Sequence, residues 1–273
     1  MVDDVAVTNS GAPPAPKGWE RRLDDRLAAA AGALRRGPLG RWAGPNLTAL
    51  TVLGAGLVIV LAMLWLAEEV YDAVTAGNGV AGLDRPALDL ALRLRNPGLD
   101  RAVTMFTNLG GTVGMTLIAL VAAGLLCRWY RSWVPLGLLA VAAAGSLAMT
   151  VVGKQVIGRV RPPTVDAVPP FESSPSFPSG HTLNSTVIVG LIGYLVCLRL
   201  ARRRARTAVG LAATLFVVGI GLSRVYLGHH WLTDVLVGWV LGLGWLAVVL
   251  TAHRLWSWRR QLPPPEPTGP TTT

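Results

Sequence analysis

Between Lys154 and Asp234 the chain sets three charged clusters beside long apolar segments. They are Lys154 with Arg161-Pro162, then Pro178-Ser179-Gly180-His181, then Ser223-Arg224 with His230 and Asp234. A charge next to hydrocarbon costs about 2.5–3.5 kcal/mol on insertion scales and usually marks function. Lys154, Arg161 and Arg224 are three cations without a matching number of acids, a set that suits an anion of more than one charge. Arginine offers planar, bidentate donors to phosphate, and lysine adds a point charge. Snorkelling to lipid headgroups would account for any one of them, but not for their coincidence with two histidines. Ser179-Gly180 stand just before an apolar run, where free N–H groups at a helix N-terminus favour an anion and glycine permits close approach.

The histidines divide the remaining work. His230 and Asp234 are four apart, so on a helix they share a face. The carboxylate can then hold one ring nitrogen and leave the other free to attack. His229 points elsewhere and is set aside. His181 follows Gly180 at the other end of the phosphate cradle. One neutral histidine as nucleophile and one protonated histidine as acid make a workable pair.

These residues carry a family resemblance. Lys154-x6-Arg161-Pro162, Pro178-Ser179-Gly180-His181 and Ser223-Arg224-x5-His230-x3-Asp234 resemble the complete three-part signature of the type-2 phosphatidic-acid phosphatase and vanadium haloperoxidase superfamily. The chain is similar to its membrane branch, the lipid phosphate phosphatases. The resemblance implies a core helical bundle and hydrolysis of a phosphate ester or anhydride with no metal and no other cofactor. It implies that His230 attacks phosphorus and forms a phosphohistidine, that Asp234 orients His230, and that His181 protonates the leaving oxygen. Lys154, Arg161, Ser179, Gly180 and Arg224 would hold the phosphoryl oxygens. The substrate would be a membrane lipid: a polyprenyl diphosphate such as undecaprenyl diphosphate, phosphatidic acid or phosphatidylglycerol phosphate. An extracytoplasmic site and a compact chain put polyprenyl diphosphate first.

The elements that must position these groups are apolar. The chain has 273 residues, of which 52% are hydrophobic and 15% charged, with a mean hydropathy of +0.48. Soluble proteins average about 25% charged residues. The apolar residues fall in six runs of about 17–23, the length that crosses a bilayer as helix. The expectation is an all-α, polytopic membrane protein with spans near 46–67, 104–126, 134–152, 181–198, 207–223 and 234–252. The domain reading is a disordered N-terminus (1–18), a cytoplasmic amphipathic segment (19–45), the six-span domain (46–252) and a cytoplasmic disordered tail (253–273). About 45 mostly polar residues precede the first run, so no signal peptide is expected. Within 82–95, Leu88, Leu90, Leu92 and Leu94 alternate at strand spacing. A lone strand beside a membrane has no partner, so the reading there is a short in-plane helix after Pro86.

Charge sets the orientation. The net charge is +10, yet the basic residues sit at the ends of apolar runs and form no stripe, which excludes a nucleic-acid partner. Seventeen of the twenty-five Lys and Arg fall on the side that receives both termini and the 127–133 and 199–206 turns. By the positive-inside rule that side is cytoplasmic, and the three clusters face the extracytoplasmic side of the plasma membrane. Cys127 and Cys197 are too few and too far apart for a zinc site. Gly238-x3-Gly242 is a small-residue pair of the kind found at helix contacts, and no oligomeric state follows from it.

Two rival functions share parts of this pattern. A vanadate-dependent haloperoxidase-like enzyme would use the same anion cradle, and the six spans count against it. A non-catalytic lipid-binding or transport membrane protein would share the spans. The lack of charge deep inside the first three counts against an ion pathway.

Overall fold

In hydrocarbon a segment satisfies its own backbone only as a helix, and the apolar runs do so. The structure, a computed structural model, describes residues 38–260. Among these residues the α-helices are, in order, α1 (Pro38–Ala76), α2 (Asp84–Leu94), α3 (Pro97–Gly110), α4 (Thr112–Tyr130), α5 (Val134–Ile157), α6 (Gly180–Arg199), α7 (Arg203–Tyr226) and α8 (Leu232–Arg259). Short 3-10 helices lie at Gly79–Leu83 and Thr164–Asp166, and no strand occurs among the described residues. Six helices, α1 and α4 to α8, are long and apolar enough to cross a membrane. The protein is therefore all-α with six spans, as its composition implied. Residues 1–18 and most of the amphipathic segment 19–45 lie outside the described residues, as does the tail beyond 260.

Several boundaries differ from those read in the sequence. The first helix does not stop at Glu68-Glu69. It continues to Ala76, because glutamate is a good helix former, and ends at Gly77 with φ +66°. The second run is not one span from 104. Gly111 adopts an extended conformation and splits it into α3 and the spanning α4, a break that averaged hydropathy cannot register. The tail boundary at 253 falls inside α8. Residues 84–94 are helical rather than extended, as preferred, but begin at Asp84, so Pro86 sits in the first turn where proline is tolerated. Asp84, Leu88 and Ala91 face inward, and Leu90 and Leu94 are exposed.

The core centres on α6. Leu183, Val187, Leu191 and Leu195 recur every four residues, and none is more than 1% exposed. They pack with Met115, Ala123 and Leu126 of α4, Leu139 and Ala142 of α5 and Val249 of α8. The hydroxyls of Ser185 and Thr186 donate to the carbonyl of Thr182 at 3.1 and 2.7 Å, so burying them leaves no donor unpaired. Opposite this polar face stand Gly238 and Gly242 of α8. A methyl at Gly238 would come 2.9 Å from Thr182 Cβ, and one at Gly242 would come 2.7 Å from Thr186 Cβ. The glycine pair is thus a seam inside the bundle, where it lets α8 approach α6.

Because the helices alternate in direction, the end of α5, the start of α6, the end of α7 and the start of α8 share one end of the bundle. The Arg-rich turns before α5 and α7 lie at the other. The three charged clusters fall at that first end.

Candidate active site

Four helix termini and the 158–179 stretch build the site. α5 ends at Ile157, with Gly158 as a left-handed cap (φ +60°), and leaves Lys154 in its last turn. The chain then continues outside any helix or strand through Arg159 and Arg161. Lys154 Nζ donates to Ser174 Oγ (2.8 Å) and the Pro175 carbonyl (2.6 Å). Arg161 donates to the same two residues, from Nε to the Ser174 carbonyl at 2.7 Å and from Nη2 to the Pro175 carbonyl at 3.3 Å. Two of the expected cations therefore meet at Ser174-Pro175.

The α7–α8 turn brings the nucleophile candidate. Gly228, at φ +71°, makes that turn, and a side chain there would lie 2.2 Å from the Asp166 carbonyl. His230 follows in the turn itself, one residue before the N-cap Trp231. His230 and Asp234 are therefore not on one helical face. Asp234 occupies the first turn of α8 and reaches back: its Oδ2 accepts the Trp231 N–H at 2.9 Å and lies 3.3 Å from His230 Nδ1. Capping geometry, rather than helical spacing, makes the pair. The Ser176 hydroxyl also donates to Oδ2.

On the far side of the ring, Arg161 Nη1 lies 3.3 Å from His230 Nε2. A guanidinium only donates, so this contact requires a lone pair on Nε2 and puts the ring proton on Nδ1, toward Asp234. His230 is fully buried. Burial pulls its pKa down to about 4, against the upward pull of the Asp234 hydrogen bond and charge, so it is neutral at neutral pH.

Ser179 is the N-cap of α6, but its Oγ accepts from Thr182 Oγ1 at 2.9 Å, and its own N–H donates to the Asp234 carbonyl at 3.1 Å. The second contact locks the start of α6 to the start of α8. Gly180 is needed for packing, since a Cβ there would come 2.9 Å from Thr150 Cγ2 of α5. The N–H groups of this first turn have no carbonyl ahead of them within the helix. His181 lies one residue into α6, and a Cβ on Gly111 would come 3.2 Å from its Nε2. The break between α3 and α4 thus backs onto this ring.

Arg224 is 2% exposed. Its Nη1 reaches Thr107 Oγ1 of α3 at 3.4 Å, and its Nε is buried without a partner, a donor left over for an incoming oxygen. His229, set aside in the sequence, has a structural task. Its Nε2 lies 2.7 Å from the Val168 carbonyl, and its own carbonyl accepts from Arg161 Nη1 at 2.5 Å.

Reasoning from the sequence missed four side chains here. Glu172 pairs with Arg161 (2.7 Å) and with Arg224, so a carboxylate sits between two of the cations expected to bind phosphate. Burial pushes its pKa up, but Arg224 and Arg161 outweigh that and hold it down at about 2. Arg159 pairs with Asp234 (2.6 Å) and with Asp84 of α2 (2.7 Å). Ser176 is the fourth. The Arg-x-Arg spacing at 159–161 and the acid at 172, within the loop between two clusters, were the available signals. Asp84, 75 residues from Arg159 in the chain, gave none. No group of three or more His, Cys, Asp or Glu able to hold a metal occurs among the described residues.

Beside His181 and Arg224 opens a cavity of about 580 Å³. Thr104, Thr107 and Asn108 of α3, Thr112 and Val113 of α4, and Phe171 and Glu172 line it. It reaches the side of the site where a leaving group would stand, and neither His230 nor Lys154 belongs to its wall.

The description PAP2 superfamily fits residues 135–258 of the chain. The chain is 37% identical over 183 residues to phosphatidylglycerophosphatase B of Bacillus subtilis, a match that spans 66% of this chain and 88% of that one. It is 32% identical over 136 residues to decaprenylphosphoryl-5-phosphoribose phosphatase of Mycobacterium tuberculosis, covering 48% of this chain and 66% of that one. A crystal structure of a transmembrane PAP2-type phosphatidylglycerolphosphate phosphatase from Bacillus subtilis superposes with a TM-score of 0.66. The identity is 28%, over 71% of this chain and 96% of that one.

Proposed function

The chain belongs to the PAP2 superfamily and is a multi-pass membrane lipid phosphatase, and we propose that it hydrolyses a lipid phosphomonoester through a phosphohistidine on His230. The observation that carries this reading is the placement of the His230 ring, with Nδ1 3.3 Å from Asp234 Oδ2 and Nε2 3.3 Å from Arg161 Nη1. That nitrogen attacks phosphorus from the side opposite the leaving oxygen. The N–P bond forms as the P–O bond breaks, and His181 gives its proton to the departing alkoxide. Water then attacks phosphorus, His181 takes the proton back, and inorganic phosphate leaves with His230 restored. Lys154, Arg161, Arg224 and the N–H groups of Gly180 and His181 hold the phosphoryl oxygens through the transfer. Ser179 serves mainly by joining α6 to Asp234. No step needs a metal, because an imidazole supplies the nucleophile.

The cavity beside His181 supports a particular leaving group. Within a mainly apolar lining, Thr104, Asn108 and Thr112 offer polar groups that suit an alcohol with further hydroxyls. A diphosphate would place a second anion there, and Arg224, one of its few cationic groups, is already committed to the transferring phosphoryl group. Phosphatidylglycerol phosphate therefore ranks ahead of undecaprenyl diphosphate, and ahead of phosphatidic acid, which has no free hydroxyl beside its phosphate. The names of the two relatives, one acting on a glycerophosphate lipid and one on a phosphoribose lipid, support the same choice. The Lys and Arg asymmetry supports an extracytoplasmic site. Phosphate release from these three lipids by purified protein tests the reading. The highest kcat/KM is expected for phosphatidylglycerol phosphate. A preference for the diphosphate overturns the substrate, and release from none of them overturns the reaction.

A further inference from the structure

Asp234 has two oxygens with two different neighbourhoods. Oδ2 faces His230, with the Trp231 N–H and the Ser176 hydroxyl beside it. Oδ1 faces away from the histidine and takes Arg159 Nη1 at 2.6 Å. The same guanidinium donates to Thr233 Oγ1 at 2.8 Å and through Nη2 to Asp84 Oδ2 at 2.7 Å. Its plane lies over the Trp231 ring, 5.7 Å from the centroid. Asp84 is in turn fixed by Thr233, accepting its N–H at 2.8 Å and its hydroxyl at 2.7 Å. Asp84 and Asp234 are buried, and Arg159 is mostly so. The result is a carboxylate–guanidinium–carboxylate row that starts on the short helix α2 and ends on the oxygen of Asp234 that His230 does not use.

We propose that Arg159, held by Asp84, is a positioning residue that aims Asp234 at His230 Nδ1 and draws off part of its negative charge. This rests on His230 being the residue that bonds phosphorus. A carboxylate pinned at Oδ1 cannot rotate, so Oδ2 stays on the ring and the attacking nitrogen keeps its lone pair. A guanidinium shared with a second acid delivers less than a full positive charge to Asp234. Asp84 is thus a counterweight: it sets how much of Asp234 remains for the histidine. Arg159 binds two acids and touches no group that meets the substrate, reaching His230 only through Asp234, which separates it from Arg161, two residues on.

The other charges around His230 are Arg161 and Glu172 from the 158–179 stretch, His181 from α6, Arg224 from α7 and Asp234 itself, with Lys154 of α5 next to Arg161. None of them changes in the variants that test the row. Arg159→Gln should lower kcat about 10- to 100-fold, by analogy with loss of the hydrogen-bond partners that orient metal-ligating histidines, with KM held within about twofold. It frees Asp234 to act on the ring with its full charge, so the acid limb of the pH–kcat/KM profile should move to higher pH. Asp84→Asn leaves the guanidinium wholly to Asp234, so that limb should move to lower pH. Arg159→Lys should recover part of the lost kcat.

Limbs that move in the same direction, or an acid limb unmoved in both variants, reduce the row to a fold contact and overturn the proposal. A rise in KM without loss of kcat makes Arg159 a phosphate ligand and does the same. If Arg159→Gln does not fold, Asp84→Asn and Arg159→Lys carry the test. Trapping the phosphoenzyme on otherwise unaltered protein keeps the two readings apart. Label absent from wild type, or retained in His230→Ala, sinks the nucleophile. A normal label with unmoved acid limbs sinks only the role of Arg159.

Discussion

Glu172 lies 2.7 Å from Arg161, so a guanidinium expected to grip phosphate already grips a carboxylate. The same carboxylate reaches Arg224. Arg224 and Arg161 hold its pKa down at about 2, so it is charged at neutral pH and stands to compete with phosphate for both guanidiniums. Glu172→Gln removes the charge and keeps the shape. Inorganic phosphate and vanadate should then inhibit about tenfold more tightly, equivalent to about 1.4 kcal/mol. Weaker inhibition in this variant would mean that Glu172 helps the anion to bind instead of competing with it.

The two histidines should separate by leaving group. His181→Ala removes a proton donor, whose contribution is typically about 100- to 10,000-fold. p-Nitrophenyl phosphate needs little protonation and should partly rescue it. His230→Ala should show no such rescue, and acid-labile label from a phosphorus-labelled lipid should vanish from it. Lys154→Ala, Arg161→Ala and Arg224→Ala should also resist rescue, because they act on the group that transfers whatever leaves.

The pH profile follows from burial of His230. Its pKa falls from 6.5 to about 4, and protonation removes the lone pair on Nε2. The acid limb of kcat/KM should therefore stand near pH 4, well below the ordinary range of histidine. Stability should follow the same sign. A histidine whose folded pKa is depressed contributes stability above about pH 6.5 and loses it as pH falls through about 4, because the unfolded chain takes the proton more readily. An acid limb near 6.5 would show that His230 is solvated in the working enzyme.

Orientation is testable with single cysteines in a background lacking Cys127 and Cys197. A cysteine at Val165, which is 90% exposed, should react with an impermeant reagent added outside intact cells. A cysteine at Arg203, at the start of α7, should react only after permeabilisation. The reverse pattern would turn the site to the cytoplasm.

The α6–α8 seam should punish added volume. Gly242→Val forces a side chain against Thr186, and overpacking of this kind costs about 1–3 kcal/mol. The melting temperature in detergent should fall accordingly. Gly124→Ala is the matched control: nothing lies within 4 Å of its added methyl, so its melting temperature should hold or rise.

Much of this site was legible because its residues sit at helix ends. Lys154, His181, Arg224 and Asp234 each mark a point where an apolar run meets polar chain, and alternating helix directions bring those points together. What stayed hidden depended on contacts between residues far apart in the chain, or on backbone detail below the width of a hydropathy window. Gly111 ends α3 inside a run that reads as continuous. His230 looks helical relative to Asp234, yet it stands in the turn and is reached by a capping carboxylate. Arg159 reads as one more basic residue until Asp84, on a separate helix, and Asp234 are seen to share it.

The break at Gly111 has a consequence for how such an enzyme diversifies. In the proposed reaction the phosphoryl group is held by α5 to α8 and the stretch joining them, while much of the wall of the cavity proposed for the departing alcohol comes from Thr104 to Gly114. Two stretches of chain thus answer to two halves of one ester. Changes confined to the earlier stretch can exchange the alcohol that is accepted while the atoms that handle phosphorus stay as they are. The same phosphoryl chemistry could in this way serve different lipid diets.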